Sequence, residues 1–195
     1  MDVGILIAKQ LWIPNSQRNN TMTIQLSPVQ TQQTQSAPAG PLTFLQVRRG
    51  SKGDRPEVCR LEMACFGRAR LLFGLWWLIG KPKTELWVAE DTTTPDKNLV
   101  GYVILYPNEL EHTMLPYVGG VGVTTEQRKA GIGSQMMLAV MAEHPQLWLH
   151  VRASNVAAIR LYQKLGLAEF KRIEKFYSNG EGALILATMD LSNLR

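Results

Sequence analysis

The chain has 195 residues, of which 45% are hydrophobic and 19% are charged, so it can bury one core of ordinary size. This composition excludes collagen-like, fully disordered and disulfide-scaffold proteins. The formal net charge of +5 favours an acidic or phosphorylated partner without identifying one.

Residues 1–41 differ from the rest because they carry almost no charge. Asp2 is their only acid, Lys9 and Arg18 are their only bases, and the second half is rich in Gln, Thr, Ser and Pro. Such a segment buries too little apolar surface to fold alone. We therefore predict a disordered leader, residues 1–41, followed by one domain at residues 42–195.

The leader also bears on localisation. It could direct import into an organelle, and Met22 inside it could be the true start of translation. Otherwise we expect a cytoplasmic protein, because Cys59 and Cys65 lie on different faces of one predicted helix, too far apart for a disulfide. A zinc site is also excluded for want of ligands.

Deletion of residues 1–40 tests the domain boundary. We expect the thermal midpoint and the activity in vitro to stay nearly unchanged, because a disordered segment contributes few stabilising contacts. Calorimetry of the full-length and shortened chains provides the comparison. A loss of several degrees would mean that the leader packs on the domain.

From residue 42 onward, apolar runs of strand length alternate with runs of helical periodicity. Leu42 to Val47 is a predicted strand. A helix follows at Val58 to Phe66, with Asp54 as its N-cap and Glu57 as the acid of a capping box. A second helical segment covers Ala69 to Ile79. This apolar segment is far shorter than the roughly 20 residues that a membrane span needs, so we expect no transmembrane helix.

The middle of the chain contains two β-rich runs, Leu86 to Glu90 and Leu99 to Tyr106, which predict a hairpin with a long loop. Pro107 is expected to end the second strand. A third run, Tyr117 to Val123, is unusual for a strand because three of its residues are glycines.

The last part of the sequence, from residue 131 onward, predicts two helices and three strands. The helices are Gly131 to Glu143 and Val156 to Leu165, the latter with Asn155 as N-cap and Gly166 after its end. The strands are Leu147 to Val151, Glu169 to Ser178 and Ala183 to Leu191, with a turn at Asn179-Gly180. The fold class is α/β (α+β), with a central mixed, mostly antiparallel sheet flanked by helices.

Residues 121–134 run from a predicted strand through a short loop into a helix. Backbone N–H groups and the helix dipole favour an anion at such a helix start. Two glycines permit close approach, and Arg128 and Lys129 add positive charge. A dinucleotide fingerprint would need a glycine at Met136, and a P-loop would need Gly-Lys-Ser/Thr after a longer loop. A plain helix start with glycines for packing is the alternative.

The spacing Arg128-x-x-Gly131-x-Gly133 resembles the acetyl-CoA motif of the GNAT N-acetyltransferases. Residues 147–167 resemble the next block of their protein N-terminal branch, which includes the RimI-like enzymes for a ribosomal protein and the eukaryotic catalytic subunits of N-terminal acetylation. The resemblance runs from about residue 86 to residue 191. It implies the GNAT fold and transfer of an acetyl group from acetyl-CoA to a protein N-terminal α-amine, by direct attack in a ternary complex and without a metal.

The resemblance also implies which residues bind acetyl-CoA. The strand backbone around Val121 and Val123 would bind the pantetheine arm and polarise the thioester carbonyl. Asn155 would contact the cofactor, and a plain N-cap role is an alternative that is compatible with this one. The pyrophosphate would be bound by the main chain of Arg128, Lys129, Ala130, Gly131, Ile132, Gly133 and Ser134.

Three candidate catalytic residues follow from the same resemblance. His150 stands where relatives place a glutamate or a histidine, and an imidazole with its reference pKa near 6.5 can accept a proton around neutrality. Tyr162 matches the general acid for the departing thiolate, and a core tyrosine is the alternative. Tyr117 matches a tyrosine that works with the histidine in one eukaryotic enzyme type. The glycines after it leave open which face of the sheet its side chain occupies.

Three aromatic residues are candidates for substrate binding. Phe176 and Tyr177 match the pair that closes over the substrate N-terminus in relatives, although Gly182 stands where relatives often have Asp. Phe66 stands where relatives often carry Phe-Pro, although Gly67 follows it here.

The sequence alone leaves several partners and rival functions open. Nine basic and three acidic residues lie between Arg48 and Lys83, and the Trp-containing region 68–83 is either a buried helix or a docking surface for the ribosome, a partner protein or a membrane face. We expect no direct binding of nucleic acid. The rival functions are a lysine side-chain or small-amine acetyltransferase, and a non-catalytic acetyl-CoA-binding module.

Overall fold

The computed structural model describes residues 44–66, 76–93 and 98–188. The leader, and the 69–75 part of the second predicted helix, therefore lie outside the described residues. The elements are β1 (Leu45–Arg49), α1 (Arg55–Phe66), β2 (Glu85–Asp91), β3 (Leu99–Leu110), β4 (Thr113–Val123), α2 (Ile132–Glu143), β5 (Trp148–Arg152), α3 (Val156–Lys164), β6 (Ala168–Ile173) and β7 (Ala183–Ala187).

The strands form one sheet in the order β1-β2-β3-β4-β5-β7-β6. Neighbouring strands are antiparallel except β4 and β5, which are parallel. The predicted mixed, mostly antiparallel sheet with flanking helices is confirmed. Within the described ranges, no helix has the length and apolarity that crossing a bilayer requires.

The two faces of the sheet carry separate cores, because successive residues of a strand point to opposite faces. Val103 and Leu105 of β3 belong to the core that includes α2, whereas Tyr102 and Ile104 belong to the core that includes α1. We call the second face, which carries α1, the α1 face.

The start of α1 differs from the prediction. Ser51, not Asp54, caps a short 3-10 turn at Lys52–Asp54 that leads into a helix beginning at Arg55. The Asp54 carboxylate accepts a hydrogen bond from the Ser51 N–H at 2.6 Å, so Asp54 is the acid of the capping box. The N-cap prediction was wrong because Ser and Asp are about equally good caps and the local sequence does not rank them.

Pro107 does not end β3, so this prediction was also wrong. The strand continues to Leu110 and pairs with β4, with Pro107 opposite Pro116. The pairing of β2 with β3 ends at Leu105, so β3 has a free edge at Pro107 on that side and a proline is tolerated there. A tight turn at Glu111 and His112, both with positive φ, joins the strands.

The last hairpin is shorter than predicted. Strand β6 ends at Ile173 and β7 begins at Ala183, so residues 174–182 form a loop. The predicted turn at Asn179-Gly180 is confirmed, because Gly180 has a φ of 83° and its N–H donates to the Tyr177 carbonyl at 2.8 Å.

Strand β4 has two irregularities in the middle of the sheet. Ile104 pairs with Gly120 and Leu105 pairs with Val118, so Gly119 forms a bulge with no opposite residue. The parallel register between β4 and β5 is limited to Tyr117 opposite Trp148. The described pairing of these two strands is therefore limited to a single position.

A substitution at Gly122 tests how closely β3 and β4 are packed. A Cβ there would overlap the ring of Tyr102, which is 1% exposed and is held by a hydrogen bond from its hydroxyl to Glu62. We expect Gly122→Ala to lower the free energy of unfolding by roughly 1–3 kcal/mol. Gly133→Ala is the control, because its Cβ would make only ordinary contacts. Equal stability of the two variants in urea would contradict this packing.

Candidate active site

The turn before α2 presents the backbone of the predicted anion site. Gly131 is the N-cap of α2 with a φ of 86°, and the Gln135 N–H donates to its carbonyl at 3.0 Å. The amides of the first helical turn before Gln135 have no preceding helical carbonyl to bond. A Cβ on Gly131 would meet no atom within 4 Å. An anion can therefore approach this backbone closely, which fits a pyrophosphate.

Side chains near the turn are engaged with the protein. The Val123 carbonyl accepts hydrogen bonds from Arg128 Nε at 3.3 Å and from the Cys65 thiol at 3.2 Å. Asn155 Oδ1 accepts from the Ala158 N–H at 3.2 Å, which confirms its role as N-cap of α3. The main chain of the turn, rather than the Arg128 side chain, is thus oriented for an anion in this structure.

His150 lies in a group of aromatic side chains on the α1 face. Its Nδ1 is 2.5 Å from the Tyr117 hydroxyl oxygen, and the two rings stack with centroids 5.4 Å apart. The Phe176 and Tyr177 ring centroids lie 4.7 and 6.1 Å from that of His150. Two strands, β4 and β5, and the 174–182 loop thus bring together four residues that the sequence singled out. The Tyr117 side chain points to the same side of the sheet as His150, an orientation that the sequence left open.

Tyr162 is buried at 8% exposure in α3, with its ring in the α2-side core. Burial, together with the nearby Tyr177 phenol, raises the pKa of Tyr162 to about 12. The Tyr162 phenol therefore stays protonated near neutrality, as a proton donor must.

Phe66 is not among the described contacts of the His150 group. It is the last residue of α1 and is 57% exposed. In the predicted docking region, Trp76 and Trp77 are 47% and 60% exposed, and Lys81 Nζ lies 3.3 Å from the Trp77 ring centroid. The described part of this region is therefore mixed, because Ile79 is buried in the core of the α1 face and Leu78 packs against that core.

Two residues at the site were missed by sequence reasoning. Tyr106 packs edge-to-face on Tyr117 with centroids 5.2 Å apart, and burial raises the pKa of its phenol. Arg152 lies against Tyr177, its guanidinium carbon 3.8 Å from the ring centroid. The period of two along β5 could have found Arg152, because it shares a face with His150. Tyr106 could be found only from the register of β3 with β4, and the wrong prediction that β3 ends at Pro107 hid this register.

Comparison with known proteins identifies related sequences and folds. Residues 55–167 match the profile described as the acetyltransferase (GNAT) family. The N-terminal acetyltransferase A complex catalytic subunit NAA10 of Arabidopsis thaliana is 28% identical over 145 residues, which cover 70% of this chain and 73% of the relative. An N-alpha-acetyltransferase of Sulfurisphaera tokodaii is 35% identical over 77 residues, 36% of this chain and 46% of the relative.

A similar fold occurs in a solved structure. The crystal structure of Arabidopsis thaliana NAA60 in complex with acetyl-CoA has a TM-score of 0.65 at 19% identity, covering 73% of this chain and 97% of that one. At this identity the likeness shows the fold. Within the described residues, no group of three side chains could hold a metal ion.

Proposed function

Because this chain belongs to the acetyltransferase (GNAT) family, we propose that it transfers the acetyl group of acetyl-CoA to the N-terminal α-amine of a protein or peptide. Family membership confirms the resemblance seen in the sequence. The observation that carries the proposal is the Tyr117–His150 pair, at hydrogen-bond distance and bordered by Phe176 and Tyr177.

The chain's own residues can accept the proton that the amine loses. In a neutral imidazole one nitrogen accepts while the other carries a proton. With His150 Nδ1 accepting from Tyr117, the Tyr117 hydroxyl can pass its proton to Nδ1 as it takes one from the amine or from a bridging water. The imidazole becomes imidazolium, and the tyrosine is restored.

Acetyl-CoA supplies the thioester whose acetyl group is transferred. The free amides at the start of α2, residues 132–134, would hold its pyrophosphate, whereas the Arg128 and Ala130 N–H groups donate to the Thr125 and Gln127 carbonyls in this structure. The β4 backbone at Val121 and Val123 would hold the pantetheine arm. The short pairing of β4 with β5 would leave backbone of β4 available to this arm. Tyr162 would donate a proton to the departing thiolate, and its raised pKa keeps the phenol protonated near neutrality.

The aromatic group favours an N-terminal peptide over a lysine side chain. Phe176 and Tyr177 meet edge-to-face with centroids 5.1 Å apart, and both rings border His150. Such a rigid pair would contact a peptide backbone next to its first residue. Named relatives that are N-terminal acetyltransferase subunits support the same choice.

A second part of this proposal concerns partners. The exposed Trp76 and Trp77, beside Lys81, would dock on the ribosome or on a partner protein. Co-sedimentation with ribosomes, compared between the wild type and Trp77→Ser, tests the ribosomal case. Equal co-sedimentation would contradict it.

A peptide-library assay of CoA release tests the proposed function. We expect thiol release with acetyl-CoA and free N-terminal peptides, and none with the same peptides blocked by N-acetylation. Release with small amines or lysine-bearing blocked peptides alone would favour the rival enzyme class. Binding of acetyl-CoA with no release on any amine would indicate a non-catalytic module.

A further inference from the structure

The 174–182 loop, which carries Phe176 and Tyr177, is attached to the sheet mainly through one carboxylate. Inside the loop, the Tyr177 N–H donates to the Glu181 carbonyl at 3.0 Å, which closes the loop on itself. Towards the sheet, the Ala153 N–H donates to the Gly182 carbonyl at 3.1 Å. The remaining described polar contacts between the loop and the β5–α3 segment involve Arg152 and Ser154.

Both oxygens of the Glu181 carboxylate are engaged. Oε2 accepts from Arg152 Nη1 at 2.6 Å. Oε1 accepts from the Ser154 hydroxyl at 2.6 Å and from the Ser154 N–H at 3.2 Å. Hydrogen bonds to a charged acceptor are stronger than neutral ones, and two engaged oxygens also fix the orientation of the carboxylate.

The partners of Glu181 connect it to the candidate active site. Arg152 shares a strand face with His150, and its guanidinium stacks on the Tyr177 ring. Ser154 lies in the turn that leads to Asn155, the N-cap of α3. Tyr177 is therefore close to His150 and also in contact with an arginine that Glu181 binds.

We propose that Glu181 is a positioning residue that holds Arg152 against Tyr177 and thereby presets the aromatic pair beside His150 to receive the substrate N-terminus. This inference rests on the proposed function. The Ser154 hydroxyl and Arg152 lower the pKa of Glu181 to about 2, so the carboxylate stays charged at every pH at which an amine can react. Its contribution is thus constant across a pH–rate profile and separable from that of His150.

Glu181→Gln is the test variant. Its amide can still accept from Ser154, but it presents no charge to Arg152, so the stack on Tyr177 loosens. We expect KM for an N-terminal peptide to rise about tenfold while kcat falls less than about threefold. The Kd for acetyl-CoA should stay unchanged. Hydrogen exchange of residues 174–182 should become faster, and the thermal midpoint shows that the variant is folded.

Glu169→Gln is the matched control. Glu169 lies on β6 of the same hairpin and forms an exposed ion pair with Arg172 at 3.4 Å, without a described contact to the loop. We expect the KM of this variant for the N-terminal peptide, and the hydrogen exchange of its residues 174–182, to match those of the wild type. Arg152→Lys keeps the charge but loses the planar stack, and we expect it to reproduce the rise in KM if Glu181→Gln does not fold.

The outcomes separate this inference from the proposed function. An unchanged KM in both folded test variants, in an enzyme that acetylates N-terminal peptides, overturns the role of Glu181 and leaves the function intact. If the wild type releases no CoA with any N-terminal peptide, the proposed function fails. Hydrogen exchange alone then decides whether Glu181 fixes the loop, and equal exchange in wild type and variant overturns that as well.

Discussion

Replacing His150 with phenylalanine is expected to lower the rate of acetylation by about 10² to 10⁴ while acetyl-CoA still binds. The loss follows from the proposal that Nδ1, at 2.5 Å from the Tyr117 hydroxyl, finally takes the amine proton. Binding survives because the turn before α2 supplies a separate site. Steady-state rates and calorimetric titration of acetyl-CoA, on the same preparations, provide the two readings.

The pH–rate profile separates the imidazole from the substrate. An imidazole accepts a proton only when it is neutral, so a base of this kind adds its own rise of the rate with pH. The α-amine of the substrate also becomes reactive as it loses its proton, about one pH unit above the reference value of histidine. In His150→Phe, the rise of the rate that comes from the imidazole should vanish. The rise that comes from the substrate amine should remain.

Two further variants complete this test. His144→Gln is the control, since His144 pairs with Glu85 at 2.8 Å at the end of α2. We expect it to react like the wild type. Tyr117→Phe should lose rate as well, because the hydroxyl relays the proton. A wild-type rate in His150→Phe would make the histidine structural and leave Tyr117 or a bound water as the proton acceptor.

Valine at the glycines before and within α2 is expected to lower the affinity for acetyl-CoA by at least tenfold, about 1.4 kcal/mol. Gly133→Val is the cleaner variant, because a side chain at Gly131 would also have to adopt a φ of 86°. A Cβ at Gly133 meets Leu161 and Val123 at 3.7 and 3.8 Å, which are ordinary contacts. The loss would therefore come from blocked approach to the helix amides.

The matched control places the same residue elsewhere on the helix. Ala142→Val puts a valine at an exposed position near the other end of α2, away from the amides of its first turn. We expect calorimetry to give this variant the wild-type affinity. Unchanged affinity in a folded Gly133→Val chain would remove the assignment of the anion site.

The sequence predicted the elements whose signals are local. Asn155 and Gly166 delimit α3 because caps act within one helical turn, and the Asn179-Gly180 turn needs only its own two residues. The strand extents failed where pairing decides them. Pro107 continues β3 because its edge is free there, and a single residue type cannot show which edge is free.

The same division holds for the site. The motif at Arg128 and the position of His150 were readable along the chain, whereas the facing of Tyr117 depends on the register and bulge of β3 with β4. Glu181 was not singled out because its partners are Arg152 and Ser154, far from it along the chain. Contacts between a loop and a distant strand leave no periodic signal in the sequence.

A peptide with both a free N-terminal α-amine and an internal lysine tests N-terminal transfer most directly. At pH 7 roughly a tenth of an α-amine is neutral, against less than about one part in a thousand of a lysine. After incubation with acetyl-CoA and this chain, we expect mass spectrometry to place the acetyl group on the α-amine and to find the lysine unmodified. Acetylation of the lysine alone would contradict the proposed function.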